Sequence, residues 1–396
     1  MSKEVFRYKI SLNYVNSKNS EISIDSSQLS YIGIDKDFDN INMPVIAIVG
    51  SIEKNIIDDM ISNINDNIVT LGIYRYDVSN QNDGVTKKYF HDRFIYIIPD
   101  DISKTSEIDY PNGENKPGLY KDITIWLIQQ DSVNNNRKTI NGVFKNASTN
   151  SLILQTSNYL GKILLEPIKY DNKYDQIIIP PQDSISSYIA YLNNCLSVFY
   201  DTQYRFFIDF DTTYILSSSG KIVKSKNQDI FTIELDIKNI LTNSEETGMY
   251  IDKRKGKYTI NINTSDTEYT KNNVSNKLVN KITTIDSEGN VIEKNVESNK
   301  ANVTSTINQI INLSNNDINA INNITSTLDI NNIMVTLTKN DLDASMFTMN
   351  KEYIINDPNH EEYNGRYLIS STKQIFIKQT DYFIMTTVLT FKKLKS

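Results

Sequence analysis

The side chains best suited to chemistry in this sequence are a few acids and two histidines. Asp209 and Asp211 flank a phenylalanine, and on a strand the two-residue period would place both carboxylates on one face. Paired carboxylates can act as general acid and base, or bind a cation. Asp is a frequent residue here, however, and the exposed edge of a strand explains the pair equally well.

Histidine is required by nucleophilic triads and by most zinc sites, and it occurs only as His91 and His360. His91 precedes a predicted strand, and His360 lies in a polar turn beside Glu361 and Glu362. We predict that both histidines are surface residues and that the acidic pair is solvated. Gly occurs only 13 times, and no Gly-rich loop joins a strand to a helix, which argues against nucleotide binding. The sequence therefore predicts no catalytic, cofactor-binding or metal-binding residue.

The single cysteine, Cys195, excludes an intramolecular disulfide and any multi-cysteine metal site. It falls in an apolar helical pattern, where we predict a small core residue. The 396 residues carry a net charge of −7, with acids and bases interspersed, so the chain lacks the basic field typical of nucleic-acid binding. No apolar run approaches the roughly 20 residues that span a bilayer, and the N-terminus shows no secretory signal. We therefore expect synthesis in the cytoplasm and no membrane-spanning segment.

The first part of the chain is predicted to be β-rich with one helix. Apolar and polar residues alternate over 6–14, which indicates a half-buried antiparallel strand. Residues 45–49 form a second apolar strand, which Gly50 and Ser51 are expected to end, with Ser51 as the N-cap of a helix. Further strands are predicted at 72–76, 93–98 and 120–128, with turn-rich stretches at 79–84 and 109–118.

The middle of the chain is predicted to be a small α+β module. Apolar residues within 152–164 fit a helix, and a second helix follows a pair of prolines, with Asp183 as its cap. The apolar stripe of this second helix comprises Ile185, Tyr188, Ile189, Leu192, Leu196 and Phe199. Residues 205–216 are predicted to form two strands around the paired aspartates.

Alternation returns in the last part of the chain. Strands are predicted at 231–237, 258–262, 351–355, 366–378 and 382–392, with a hairpin over 281–294 and a weak helical stripe within 312–332. The sequence thus predicts a mainly β (α+β) fold with two barrel-like tube domains, residues 1–147 and 226–396. A helix-containing middle module, residues 148–225, joins them.

The final strands resemble those of a known family. In order they read EYII (352–355), NGRYLI (364–369) and YFIMTTVLTF (382–391). This order resembles the closing strands of phage baseplate hub proteins, which are related to the hub part of type VI secretion spike proteins. Residues 274–294 look like the start of the second barrel in those proteins, and residues 180–217 resemble the insert between the two barrels.

The resemblance implies a structural hub protein of a phage or phage-like tail baseplate, located in the virion and assembled in the host cytoplasm. It implies a homotrimer whose six barrels form a ring around a central channel and join the tail tube to the spike. The implied partners are the tail tube, spike, tape-measure and other baseplate proteins, with genomic DNA only as transient cargo. It implies no enzyme activity and no cofactor.

Two other functions stay open at this point. One is another tail component, such as a tube-end or host-recognition protein. The other is a cell-wall hydrolase that uses Asp209, Asp211 or the pair Glu361 and Glu362. Alanine at these acids would abolish peptidoglycan turnover by a hydrolase, whereas a hub has no such turnover to lose.

Overall fold

The computed structural model describes residues 6–16, 18, 20–63, 67–77, 87–99, 119–165, 171, 173–196, 204–217, 230–235, 249–252, 257–262, 267–271, 277–285, 291–295, 305–311 and 333–394. The fold is mainly β, which confirms the predicted class. The turn-rich stretches predicted at 79–84 and 109–118, and the helical stripe within 312–332, lie outside the described residues.

The first part of the chain contains seven described strands and one helix. They are β1 (Phe6–Val15), β2 (Glu21–Ile24), β3 (Leu29–Asp37), β4 (Val45–Glu53), α1 (Lys54–Ser62), β5 (Ile68–Asp77), β6 (Lys87–Ile97) and β7 (Tyr120–Ile128). The middle part contains α2 (Gln130–Arg137), β8 (Ile140–Ser148), α3 (Thr149–Leu154), β9 (Ile163–Leu165), β10 (Lys173–Gln182), α4 (Ile185–Leu196), β11 (Tyr204–Ile208) and β12 (Thr213–Ser217).

The described residues of the last part form mainly strands. They are β13 (Ile230–Leu235), β14 (Met249–Asp252), β15 (Lys257–Ile262), β16 (Thr267–Lys271), β17 (Lys277–Ile285), β18 (Val291–Asn295), β19 (Ser305–Ile311), β20 (Ile333–Asn340), β21 (Tyr353–Asn356), β22 (Gly365–Lys378) and β23 (Phe383–Lys393). The predicted hairpin over 281–294 is confirmed, because β17 and β18 pair antiparallel.

Strands from both ends of the chain join in one 15-stranded sheet. Its order is β14-β15-β13-β21-β22-β3-β4-β7-β6-β5-β1-β23-β20-β16, with β2 beside β1. Since β22 pairs with β23 as well as with β3, the pairing from β22 through β3, β4, β7, β6, β5 and β1 returns to β23. The link between β1 and β23 is one registered pair, Tyr8 with Phe383. These eight strands therefore form a closed circuit of hydrogen-bonded neighbours.

The first hydrophobic core lies against one face of this circuit. In β1 alternate residues are buried, as the sequence pattern predicted, so Tyr8 and Leu12 are fully buried while Lys9 is exposed. Other strands add Ile32, Ile48, Leu71, Phe94, Ile125, Phe376 and Met385 to the same core. Each such side chain stabilises the fold by about 1.5–3 kcal/mol when it leaves water. The first core thus depends on residues from both ends of the chain.

The long strands β22 and β23 also build a second core. Tyr367 and Ile369 of β22 pack there together with Phe391 of β23, whereas Phe376 and Met385 serve the first core. The register of β22 against β23 shifts at a β-bulge between residues 369 and 371. The bulge changes which alternate residues of β22 point inward, from odd numbers before it to even numbers after it. One strand can therefore face two cores in succession.

Thr387 is the polar residue on the buried face of β23, between Met385 and Leu389. It is fully buried, and its hydroxyl donates a hydrogen bond to the carbonyl oxygen of Leu342 at 2.6 Å. A buried hydroxyl without a partner costs about 1–3 kcal/mol. This bond therefore favours one register of β23 at the boundary between the two cores.

The middle part of the chain surrounds a third core. The first part of the predicted stripe of α4 is confirmed, because Ile185, Tyr188, Ile189 and Leu192 are all buried in this core. The Leu196 side chain and Phe199 lie outside the described residues. The predicted cap was wrong by one residue: the Ser184 hydroxyl, not Asp183, accepts the backbone N–H of Ser187 at 3.1 Å. The strands β8 and β10 pair with each other as a two-stranded ribbon, and β11, β12 and β9 form a small separate sheet.

Two predicted helix boundaries were also wrong. Gly50 and Ser51 do not end β4, because the strand stays paired with β7 as far as Glu53, opposite Tyr120. The helix α1 begins at Lys54 without a side-chain cap. The helix predicted within 152–164 ends as α3 at Leu154 and a short 3-10 turn, and the residues that follow from Ile163 form β9, which pairs in parallel with β12.

Gly50 has a different role from the one predicted. A Cβ atom at this position would collide with the backbone carbonyl oxygen of Gln28, at the register shift between β3 and β4. Glycine therefore permits a close approach of two backbones.

No helix in the described part of the chain is both long enough and apolar enough to cross a membrane.

Substitution of Gly50 tests this reading of β4. Gly50→Ala should lower the free energy of unfolding by about 1–3 kcal/mol, because the new methyl group overpacks against fixed backbone. Ser51→Ala is the matched neighbour and should change it by less than about 0.5 kcal/mol, whereas loss of an N-cap would cost about 1 kcal/mol. Denaturant unfolding of both variants measures the two values. A larger effect at Ser51 than at Gly50 would restore the capping interpretation.

Candidate functional site

The structure separates the two aspartates that the sequence placed on one face. Asp209 and Asp211 lie in the turn that joins β11 to β12, not on a strand. Asp209 is buried, and its carboxylate lies 2.7 Å from the Lys36 Nζ on β3. Asp211 is exposed. The prediction of a shared face was wrong, because a tight turn does not keep the two-residue period of a strand.

Asp209 belongs to a junction between the middle part of the chain and the main sheet. The Lys36 ammonium group also lies 4.6 Å from the ring centroid of Phe210. Phe210 packs edge-on against Phe90 and Phe94 of β6, with centroid separations of 4.9 and 6.0 Å. A lysine between a carboxylate and an aromatic face gains charge pairing and a cation–π contact together. The turn is thus anchored to β3 and β6.

A buried arginine crosses the same junction. The guanidinium Nη2 of Arg205, on β11, donates to the carbonyl oxygen of Ile369, immediately before the bulge in β22. The Arg205 Nε lies 4.0 Å from the carboxylate of Asp39, which also accepts a hydrogen bond from the Ser370 hydroxyl. Burial lowers the pKa of Arg205, and Asp39 opposes that shift. Three separate segments therefore meet at the bulge.

The two histidines occupy different surroundings. His91 is exposed on β6, opposite Gly72, as predicted. His360 is exposed too, but its Nδ1 lies 2.9 Å from the carboxylate of Asp357, which also accepts the Tyr269 hydroxyl. Burial alone raises the pKa of Asp357, yet these hydrogen bonds outweigh burial and lower it. Asp357 is thus a charged anchor that ties the turn after β21 to the strand β16.

The other candidate residues form no site with these. Glu361 and Glu362 are exposed in a 3-10 turn, as predicted. Cys195 lies on α4, and its side chain is outside the described part of the chain. Among the residues that the structure describes, no three His, Cys, Asp or Glu side chains are grouped so that they could hold a metal ion.

A partly buried polar network lies beside the first core, and a carboxyl group with a shifted pKa lies close to it in the chain. The Tyr89 hydroxyl donates to the Asp343 carboxylate at 3.3 Å and accepts from the Gln374 amide of β22. Nearby, burial raises the pKa of Asp341 to about 6, against the opposing effects of Arg75 and of the Phe6 backbone N–H. The network joins β6 and β22 to the segment that follows β20.

Sequence reasoning missed Lys36, Arg205 and Asp341, and no local pattern could have indicated them. Lys36 and Asp209 are 173 positions apart, and Arg205 and Ile369 are 164 apart. Such pairs become visible only once the strand order is known.

The fold is similar to that of solved proteins described as a tail protein or as part of a VgrG complex. The tail protein from Neisseria meningitidis MC58 aligns with a TM-score of 0.52 and 9% identity, over 98% of this chain and 97% of that chain. A chain of the Francisella PdpA–VgrG complex aligns with a TM-score of 0.50 and 10% identity, over 98% of this chain and 58% of that chain. The 43 kDa tail protein of prophage MuSo2 from Shewanella oneidensis aligns over 97% of both chains, with a TM-score of 0.49 and 10% identity. No curated protein matches the sequence.

Sequence then identifies the family within this fold. The family model described as Bacteriophage PBS1 gene 109 protein matches residues 2–394, and this chain belongs to that family. The resemblance to phage baseplate hub-type proteins, drawn from the final strands, is confirmed at the level of family and fold.

Asp209→Asn tests the structural role of the buried ion pair. Asparagine keeps an Oδ1 acceptor for the Phe210 backbone N–H and for Lys36, but it removes the negative charge that offsets the largely buried ammonium group. We expect the free energy of unfolding to fall by roughly 3 kcal/mol, the usual cost of breaking such a pair from one side. Asp211→Asn, two residues away and exposed, should cost less than about 0.5 kcal/mol. Equal effects in chemical denaturation would contradict the assignment.

Asp341→Asn tests the perturbed carboxyl group by pH. The folded-state pKa of about 6 lies above the ordinary value near 4, so the folded chain binds more protons between those pH values. Stability contributed by this group is therefore present below pH 4 and is lost as the pH rises through 6. Asparagine does not ionise, so the variant should not lose this stability at higher pH. Because solvent screens this partly exposed group, we expect the free energy of unfolding to rise by about 1 kcal/mol at pH 7, which corresponds to roughly 2 °C in Tm.

The matched control for this experiment is Asp381→Asn, which removes one carboxylate from an exposed turn. Thermal melts at pH 4 and pH 7 should show a gain for Asp341→Asn at the higher pH alone. A gain of the same size in both variants would attribute the effect to net charge.

Proposed function

We propose that this chain is a structural baseplate hub protein of a phage or phage-like tail, which forms a ring around the central channel and joins the tail tube to the spike. The observation that carries the proposal is the family match over residues 2–394, together with a tail-protein fold shared over the whole chain. We propose the virion tail baseplate as its location, with assembly in the host cytoplasm.

The arrangement of the cores suits a part that transmits force. The strands β22 and β23 run through both the first and the second core and join the two directly. Arg205 and the pair of Lys36 with Asp209 then fasten the third core to the same strands. Relative motion of two such cores would require breaking backbone hydrogen bonds within shared strands. A stiff subunit of this kind can hold a tube and a spike in line.

We propose a homotrimer in which each chain supplies two barrel-like units, so that six units surround the channel. The units correspond to residues 1–147 and 226–396, with the module of residues 148–225 between them. The closed circuit of eight strands supports the first unit. Six of its strands come from residues 1–147, and β22 and β23 from residues 226–396 complete it. The proposed partners are the tail tube, spike, tape-measure and other baseplate proteins.

Genomic DNA is proposed to pass through the ring without tight binding. The net charge of −7 has the same sign as the phosphate backbone, so an acidic lumen would repel the passing duplex. No catalytic role is proposed for the acids considered above, because Asp209 is already engaged by Lys36 and Asp211 lies apart from it.

The oligomeric state of the purified full chain tests the proposal. Size-exclusion chromatography with light scattering should give the mass of three chains at high protein concentration, and negative-stain images should show a ring with a central hole. A twofold dimer, or a particle without an axial opening, would contradict the proposed ring. Turnover of peptidoglycan that is lost in Asp211→Asn would favour a hydrolase instead.

A further inference from the structure

An apolar surface covers part of the outer face of the closed circuit. Residues directly opposite each other on neighbouring strands share a face of the sheet. Five such residues form one row across β6, β7, β4, β3 and β22, and we call this row the Trp126 face: Ile97, Trp126, Ala47, Gly33 and Ile375. Within this row Gly33 is buried, because the Tyr31 side chain lies over it. Trp126 and Ile97 are 38% and 45% exposed, although tryptophan and isoleucine side chains favour burial.

A neighbouring row of residues extends the Trp126 face, and charged residues lie at the rim of this face. Val49, Tyr31 and Ile377 are opposite one another on β4, β3 and β22. Asp122 lies further along β7 on the same side as Trp126, and Asp35 is the partner of a lysine on β22. An apolar centre with a charged rim is typical of a protein–protein interface. A contiguous apolar patch is also unusual on a surface that stays in water.

A second uncovered apolar surface lies on the ribbon of β8 and β10. Val143 and Ile178 are directly opposite each other and are 55% and 65% exposed, and Ile178 is the most exposed large hydrophobic residue that the structure describes. The adjacent pair on the same side is Lys145 with Gln176, so a cation borders the two apolar side chains. We call these four residues the ribbon face.

We propose that the ribbon face of one copy docks on the Trp126 face of a neighbouring copy of this chain. The inference rests on the proposed ring and names the contact that builds it. A two-stranded ribbon is narrow enough to lie on a surface five strands wide, since strands are spaced about 5 Å apart. Val143 and Ile178 would then be buried against Trp126, with Lys145 near Asp122 at the rim.

The two surfaces are different, so their contact is head-to-tail. A head-to-tail contact leaves one free surface of each kind on every open assembly, and only closure into a ring removes both. A twofold dimer through the Trp126 face would leave the ribbon face exposed. Charge also favours the heterologous pairing, because the exposed Asp122 borders the Trp126 face and the exposed Lys145 belongs to the ribbon face, whereas Asp35 already lies opposite Lys373.

The test uses one substitution on each surface of the full chain. Ile178→Asp breaks the ribbon face, and Ile97→Asp breaks the Trp126 face without removing the tryptophan. Ile61→Asp is the matched control, since Ile61 is 47% exposed on α1 and belongs to neither surface. Circular dichroism and thermal melts establish that all three variants fold like the wild type.

Two readouts follow association. Light scattering gives the mass, and the emission of Trp126, the only tryptophan in the chain, reports whether its own face becomes buried. We expect wild type and Ile61→Asp to associate with a shift of emission to shorter wavelength. Ile178→Asp and Ile97→Asp should each remain monomeric, with association weakened roughly 30-fold or more. An equimolar mixture of these two should form a dimer through its one intact contact, and no ring.

The outcomes separate this inference from the proposed function. If wild type and Ile178→Asp both form rings, the docking inference is wrong and the hub proposal stands. If Ile178→Asp still dimerises while Ile97→Asp does not, the contact is face to face and the inference is wrong. If the wild type forms an open filament and both variants abolish it, the docking contact is correct and the proposed ring is wrong. A wild type that stays monomeric at high concentration contradicts both.

Discussion

The strands β22 and β23 carry two hydrophobic cores on one continuous set of backbone hydrogen bonds. Each core needs apolar residues on the face turned toward it, and a regular strand offers only one periodic face to any partner. The bulge between residues 369 and 371 allows β22 to face both cores. Before the bulge the odd-numbered residues point inward, and after it the even-numbered residues do. The closed circuit, the second core and the docking of the middle part of the chain all depend on that exchange.

Buried polar groups at this boundary specify the geometry more than they add stability. Arg205 donates to the carbonyl oxygen of Ile369 beside the bulge, and Thr387 donates to Leu342 where β23 passes from one core to the other. A register slip of either strand would leave these donors buried without partners, at a cost of about 1–3 kcal/mol each. The apolar residues alone do not discriminate so sharply, since a slip by two positions keeps the same face inward.

Much of the fold could be predicted because apolar and polar residues alternate along its strands. The residues from Phe6 to Tyr14 are buried on the expected phase, and the stripe of α4 follows the expected helical spacing. The short polar helix α2 was missed because it has no apolar stripe, and it buries only Ser132 and Asn135. The strand β10 was missed because two prolines end it, which read as the start of a helix.

Candidate sites were harder to predict, for a physical reason. Periodicity shows which face of an element is apolar, but not which other element will cover it. The spacing predicted that Asp209 belongs with Asp211, whereas the structure pairs Asp209 with Lys36 on β3, 173 positions away in the sequence. The exposure of Trp126 could not be predicted either. The sequence pattern of β7 does not show that the described residues leave the outer face of this strand uncovered.

The position of β22 and β23 in the chain affects how the protein is made. A ribosome releases these two strands after every other described strand, so β1 and β3 wait with open edges while the rest of the polypeptide is synthesised. Both cores therefore stay incomplete until β22 and β23 have emerged. The apolar faces of the earlier strands are consequently prone to aggregation until that point, because transiently exposed hydrophobic surface and open strand edges promote it.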